Sequence, residues 1–240
     1  MRNDLNKPKC TDKAWEGRSD CVHCAIRSRV LFADIPECDL DHLVSPIENF
    51  TYAANSVLYR SGEKNDAVFT IRQGLIKLVQ YLPNGTVRTV RLLGRNDIIG
   101  LEAILEEPYR HSAVTMQETK LCRIPLDVIN ALEKNHPELG HQLRLRWQKN
   151  LDEADRFITE FSTGSAESRI ARLLLFLGGS SKGFCFNHIG RDDIASILAI
   201  TTETASRIMA DFKRRDFINC LPGSDCSCNP EKLKLIAEEL

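Results

Sequence analysis

The stretch Arg191–Arg215, RDDIASILAITTETASRIMADFKRR, constrains this chain more tightly than any other. Ile194, Ala195, Ile197 and Leu198 recur at helical spacing, and Asp192 or Asp193 can start that helix. Ala199-Ile200-Thr201 interrupts the pattern, and a second helix begins at Thr202. There Ala205, Ile208, Met209 and Phe212 supply an inward stripe, which leaves Thr202, Glu203, Ser206 and Arg207 pointing outward near the N-terminal end. Two short helices with a tight break between them are a helix-turn-helix signature. The outward residues are of the types that read base edges: Arg pairs with guanine O6 and N7, Glu accepts from the cytosine amino group, and Ser reaches a phosphate or a base. A merely solvated helix face is the alternative, but turn, stripe and polar set agree with one another, so double-stranded DNA is the expected partner.

A chain of 240 residues is long enough for two domains with cores of their own. Its net charge of −1 argues nothing for nucleic acid, and the positive charge that matters is local, at Arg207, Lys213, Arg214 and Arg215. Apolar runs such as Leu173–Leu177 are far too short to span a bilayer, and the start MRNDLNKPKC lacks the apolar core of a secretory signal. A cytoplasmic protein with no membrane partner is the expectation.

Nine cysteines are many for a reduced compartment, where structural disulfides are not expected and clustered thiols point to metal or redox chemistry. Cys21 and Cys24 form a C-x-x-C loop, which offers two thiolates to one metal or cluster from a single turn. Such a pair needs two further ligands, or is a dithiol redox pair, or is two unrelated thiols. Cys185, between Phe184 and Phe186, reads as a small buried hydrophobe in a strand. Cys226 and Cys228 share a strand face, which Cys220 joins if the hairpin register suits; they read as replacements for apolar residues facing a small core, with a rival set of metal ligands as the alternative.

Residues 1–30 read as an irregular cysteine-bearing arm ending in a short helix. Residues 31–136 hold a β-roll with flanking helices: from Phe50 to Arg123 the runs SVLYR, AVFTIR, LIKLVQYL, TVRTVRLL and SAVTMQETKLCRI are separated by turn residues, among them Gln73-Gly74 and the hairpin signal Pro83-Asn84-Gly85. Residues 137–163 form a long helix that Pro137 opens without loss, since its missing amide has no helical partner. Along it Trp147, Leu151, Ala154, Ile158 and Phe161 fall at spacings of four, three, four and three, a coiled-coil seam that predicts a homodimer, with Leu139 and Leu143 on a neighbouring face. Residues 164–240 then hold a helix capped by Ser165, the helix-turn-helix, a hairpin wing and a final helix. The fold class is α+β. No Gly-rich phosphate loop opens a helix, and the C-x-x-C lacks the βαβ setting of a dithiol enzyme, so no enzymatic activity is expected.

Roll, long dimerisation helix and winged helix-turn-helix, in that order, resemble the CRP/FNR family of bacterial transcription regulators over nearly the whole chain. Glu203-Thr204-Ala205-Ser206-Arg207 is similar to the E-x-x-S-R motif of the FNR-like branch, which implies a TTGAT-type palindrome, and Thr202 stands where the cyclic-AMP receptor branch carries a further base-reading Arg. The resemblance implies RNA polymerase as a further partner. It also implies an oxygen-labile four-iron four-sulfur (4Fe-4S) cluster on three closely spaced N-terminal cysteines and one distant cysteine. Cys21 and Cys24 resemble the first pair and Cys122 the distant ligand, but Val30 and Phe32 occupy the two positions where spacing variants carry the third thiol. Cys10 is the substitute, with Cys38 the second choice. A thiol- or zinc-based switch is the alternative, as is a nucleotide, haem or metabolite in the roll. The family's cyclic-nucleotide signature is absent, because Leu101 stands at its Glu position and His111 at its Arg position, with Glu102 and Arg110 each one residue displaced.

Overall fold

The computed structural model describes residues 13–21, 23–24, 26, 31–33, 35–36, 47–64, 66–179, 185–186, 189–220 and 226–239. Cys10, Val30 and Cys38, to which expectations attach, lie outside the described residues. The described residues fall into two compact units, drawn from Met1–Gln80 with Arg91–Leu151 and from Tyr81–Val90 with Asp152–Leu240.

The alternating runs resolve into β2 (Glu48–Tyr52), β3 (Val57–Tyr59), β4 (Ala67–Gln73), β5 (Ile76–Tyr81), β6 (Val87–Leu93), β7 (Ile98–Ile99), β8 (Ser112–Thr115) and β9 (Thr119–Pro125). One departure is at the start of the chain. Lys13–Arg18 forms a strand, β1, rather than the irregular arm its polarity suggests. It pairs antiparallel with β2, covering an edge whose amides and carbonyls would otherwise lack ladder partners, and a bulge falls between Trp15 and Gly17. The sheets run β1-β2-β9-β4-β7 and β3-β8-β5-β6.

A second departure is that the single long run expected from Ser112 breaks before Thr119. Gly74 explains the local geometry: its φ is +107°, and a Cβ there would stand 2.4 Å from Thr119 Oγ1 and 2.7 Å from Thr119 Cα. Only glycine lets the turn after β4 approach β9 so closely. Across the first sheet the register sets Gly17, Asn49, Cys122, Thr70 and Ile98 in one row, and Phe50, Leu121 and Ile71 in the next. Because side chains alternate along a strand, the two rows face opposite sides. Cys122 thus lies between Asn49 and Thr70.

After the roll come α1 (Leu126–Asn135) and α2 (Pro137–Ser162). Leu31, Phe32, Ile35, Val68, Ile98, Ile124, Val128, Ile129 and Leu132 share one core with Leu139 and Leu143, and Cys21 and Cys122 pack at its margin. Full burial of each Leu or Ile is worth about 1.5–3 kcal/mol, so the first turns of α2 are seated firmly on the roll.

In the second unit lie α3 (Ala166–Gly179), β10 (Cys185–Phe186), α4 (Arg191–Leu198), α5 (Thr202–Arg214), β11 (Ile218–Cys220), β12 (Cys226–Cys228) and α6 (Pro230–Ala237), with a wing sheet ordered β10-β12-β11. The Ser168 amide donates to Ser165 Oγ at 3.1 Å, so Ser165 caps α3 as its position predicts. The guanidinium of Arg172 donates to the carbonyls of Glu160 at 2.8 Å and Thr163 at 3.0 Å, satisfying acceptors that the end of α2 leaves without helical partners. In the wing, Cys226 is 1% exposed and disulfide-bonded, which corrects the expectation of reduced thiols throughout. The backbone register sets Cys220 directly opposite it. Cys228 is half-buried and forms no disulfide.

Candidate DNA-reading helix and thiol site

The break between α4 and α5 is made by Ala199, which adopts a left-handed conformation at φ 51°. Arg169 secures it by donating to the Leu198 carbonyl at 2.7 Å. Gly190, not an aspartate, occupies the N-cap of α4, and Asp192 and Asp193 lie in its first turn. Thr201 caps α5, its hydroxyl accepting from the Thr204 amide at 3.2 Å. Thr201→Ala is expected to cost about 1 kcal/mol of stability in urea unfolding, and an unchanged midpoint would remove this cap from the account.

Ala205, Ile208, Met209 and Phe212 are buried, as the periodicity requires, and Glu203, Ser206 and Arg207 are exposed together at the start of α5. Hydrogen bonds from its own backbone and from Thr201 hold the Glu203 carboxyl below the usual range, so it stands as a charged acceptor. Thr202 differs from the other three. Its hydroxyl donates to Asp192 Oδ1 at 2.9 Å and ties the start of α5 back to α4.

The basic cluster is also smaller than the sequence implies. Arg215 is held by Glu167 at 3.0 Å and Asp211 at 3.1 Å and lies over the Phe217 ring, while Arg214 pairs with Asp211. Among the described residues no hydrogen bond or ion pair engages the side chain of Arg207.

On α2 the expected seam divides. Trp147, Leu151 and Ile158 are 39%, 55% and 61% exposed, with Ala154 half-buried between them, an apolar stripe open to solvent. Phe161 does not belong to it. At 2% exposed it meets Phe157 and Phe176 edge-on, with centroids 5.0 and 5.8 Å away, inside its own chain. The heptad spacing continues into Phe161, but α3 returns over that end of α2 and buries the ring.

Cys21, Cys24 and Cys122 line one small cavity of about 30 Å³, together with Thr70 and Phe32. By volume it has room for one or two waters. The position where one spacing variant would carry the third thiol is therefore at this site, but it brings the Phe32 ring. The Cys122 thiol donates to Asn49 Oδ1 at 3.2 Å and accepts from the Ser19 hydroxyl at 3.6 Å, and Ser19 also donates to Asn49 at 2.7 Å. Burial, then the neighbouring Cys122 and Cys24, pushes the Cys21 thiol up to about 12. Burial raises Cys122 as well, against the opposing pull of Ser19.

Both are neutral thiols in this form. Among the described residues no group of three or more His, Cys, Asp or Glu side chains is disposed to hold a metal ion. Three soft donors converge on one cavity nonetheless, and a four-iron cube carries its thiolates farther apart than a single ion does. In donor chemistry alone, the three thiols suit a thiolate-held cluster short of one ligand.

At the roll positions of the nucleotide signature, Leu101 is buried in the core. Tyr109 stacks on Tyr59 at 3.7 Å and donates to the Ala67 carbonyl at 2.9 Å. His111 is half-buried, and burial followed by Arg91 lowers its pKa, so it is a poor substitute for a phosphate-binding arginine.

A family model described as cyclic nucleotide-binding domain matches residues 49–136, and one described as Crp-like helix-turn-helix domain matches residues 168–236. The regulatory protein HlyX of Actinobacillus pleuropneumoniae is 26% identical over 220 residues, 87% of this chain and 91% of its own. The anaerobic regulatory protein of Haemophilus influenzae is 26% identical over 206 residues, 83% of this chain and 80% of its own. Among solved structures, FixK2 from Bradyrhizobium japonicum shares the fold at a TM-score of 0.71 and 18% identity, over 81% of this chain and 98% of that one. With both domain models matched in this order and FNR-like relatives aligned along more than four-fifths of its length, the chain belongs to the CRP/FNR family of DNA-binding transcription regulators.

Proposed function

We propose that this regulator is a homodimer that reads an FNR-like, TTGAT-type palindrome and that an iron-sulfur cluster makes its DNA binding respond to oxygen or redox state. Glu203, Ser206 and Arg207 are the base readers, exposed side by side on α5, and Thr202 sets the angle of that helix through Asp192. The stripe Trp147, Leu151, Ala154 and Ile158 is the face offered to the second copy, whose two-fold axis spaces the half-sites one turn of DNA apart. Control of transcription brings RNA polymerase in as a further partner.

The observation that carries the sensing reading is the meeting of Cys21, Cys24 and Cys122 at one cavity on the margin of the core that seats Leu139 and Leu143 of α2. Cys10, outside the described residues, is the fourth ligand. A bound cluster supplies an oxygen-labile cross-link between the N-terminal turn and β9. Ser19 and Asn49 aim the Cys122 sulfur. Displacing the Cys21–Cys24 turn repacks the core margin, and with it the seat of the helix that carries the dimer stripe. The name anaerobic regulatory protein, borne by a relative, supports the same reading.

Anaerobic purification tests it directly. The product should be brown, contain iron and acid-labile sulfide, and bleach in air; a colourless, iron-free protein obtained under strict anaerobiosis would sink the cluster.

A further inference from the structure

Thr70 carries a hydroxyl that the fold leaves without a use. Its side chain is 3% exposed, and its Oγ1 makes no hydrogen bond among the described residues. Buried hydroxyls elsewhere in the roll are satisfied: Thr115 donates to the Ala53 carbonyl at 2.6 Å, Thr119 donates to the Gln117 carbonyl at 2.9 Å, and Ser112 accepts from the Ser61 amide at 3.0 Å. An unsatisfied buried hydroxyl destabilises a fold, whereas valine has the same shape and no such cost. Thr70 is flanked along β4 by Val68, Phe69 and Ile71, all buried, so nothing in its local sequence favours a polar residue.

Its location supplies the reason. Thr70 lies directly opposite Cys122 in the β4–β9 ladder, on the same face, and lines the cavity that Cys21, Cys24 and Cys122 share. Neutral thiols are weak acceptors, but thiolates and inorganic sulfide are strong ones. The cavity thus holds three sulfur donors and one unused O–H that becomes useful only when sulfur there is anionic.

We propose that Thr70 is a positioning residue for the thiolate-held cluster, donating a hydrogen bond to one of its sulfurs and slowing its loss in air. This rests on the iron-sulfur reading above. The physical cause is that a donated hydrogen bond draws electron density from sulfur and makes the group harder to oxidise.

The full-length protein and its Thr70→Val and Thr70→Ser variants, purified without oxygen, test it with three measurements. These are iron and sulfide content, decay of cluster absorbance in air-saturated buffer, and the thermal midpoint of the iron-free protein. In Thr70→Val the absorbance is expected to decay about 10-fold faster, in line with the effect of outer-shell hydrogen bonds on metal sites, while its iron-free midpoint equals or exceeds that of the parent. Thr70→Ser, which keeps the donor, should decay at the parent rate.

Equal decay of parent and Thr70→Val, or equally fast decay of both variants, overturns the assignment. So does an iron-free Thr70→Val protein that melts well below the parent, because the hydroxyl would then be bonded within the fold. A parent protein without iron overturns the cluster itself and Thr70 with it, whereas a loaded parent indifferent to Thr70→Val overturns only the role given to Thr70.

Discussion

A Cys122→Ser protein purified without oxygen should fold like the parent yet hold its iron more than about 100-fold more weakly, because it loses a ligand itself where the loss of a mere outer-shell partner already costs 10- to 100-fold. Its DNA binding should then be the same before and after exposure to air. The substitution is mild for the fold. A serine hydroxyl can keep the bond that the Cys122 thiol makes to Asn49 at 3.2 Å and can accept from Ser19. It cannot serve as a thiolate, because a serine hydroxyl keeps its proton at neutral pH. Iron content, absorbance and gel-shift titrations in the presence and absence of air read the result. Were a small molecule in the roll the signal, Cys122→Ser and Cys24→Ser would both keep their response, and that outcome would remove the thiol site from the mechanism.

Arg207→Ala should weaken binding to a TTGAT-type duplex by about 1–3 kcal/mol, roughly 5- to 150-fold, and relax selection at a single base pair. The Arg207 side chain is exposed and makes no hydrogen bond or ion pair among the described residues, so its removal leaves the folded domain intact. Titrations at one fixed salt concentration against the consensus and single-base variants separate the two effects, since phosphate contacts alone would weaken every sequence alike. Unchanged affinity and selectivity would falsify the assignment of Arg207 as a base reader.

The helix-turn-helix was legible because its signals are local. The stripe Ala205, Ile208, Met209 and Phe212 and the break at Ala199-Ile200-Thr201 lie within one short segment, and each is written in residue types and spacing. What sequence reasoning missed depends on distant parts of the chain. Phe161 fits a heptad, and only the return of α3 over the end of α2 buries it. Thr202 has the chemistry of a base reader, but Asp192, ten residues earlier, takes its hydroxyl. Strand β1 has no apolar alternation to announce it, because an edge strand gains its place from the ladder it completes rather than from a face it buries. Thr70 carried no signal at all. A threonine in a strand is unremarkable until its neighbours across the ladder are known, and here one of them is Cys122. The pairing of Cys21, Cys24 and Cys122 could be anticipated from the resemblance, but their meeting at a core margin shared with Leu139 and Leu143 follows only from the sheet register.

The edge strand β1 has one more effect, on how the thiol site is assembled. The hydrogen bond from Ser19 to Cys122 joins residues 103 positions apart. Closing a loop of that length in a free chain costs roughly 4 kcal/mol from the length-dependent entropy alone. Here the ladder between β1, β2 and β9 has already closed it before any metal arrives. A small zinc domain must fold around its metal and falls apart when the metal is removed. On the proposed reading, metal uptake and loss would act on a scaffold whose β1-β2-β9 ladder is already formed, with the rearrangement starting in the residues that follow β1.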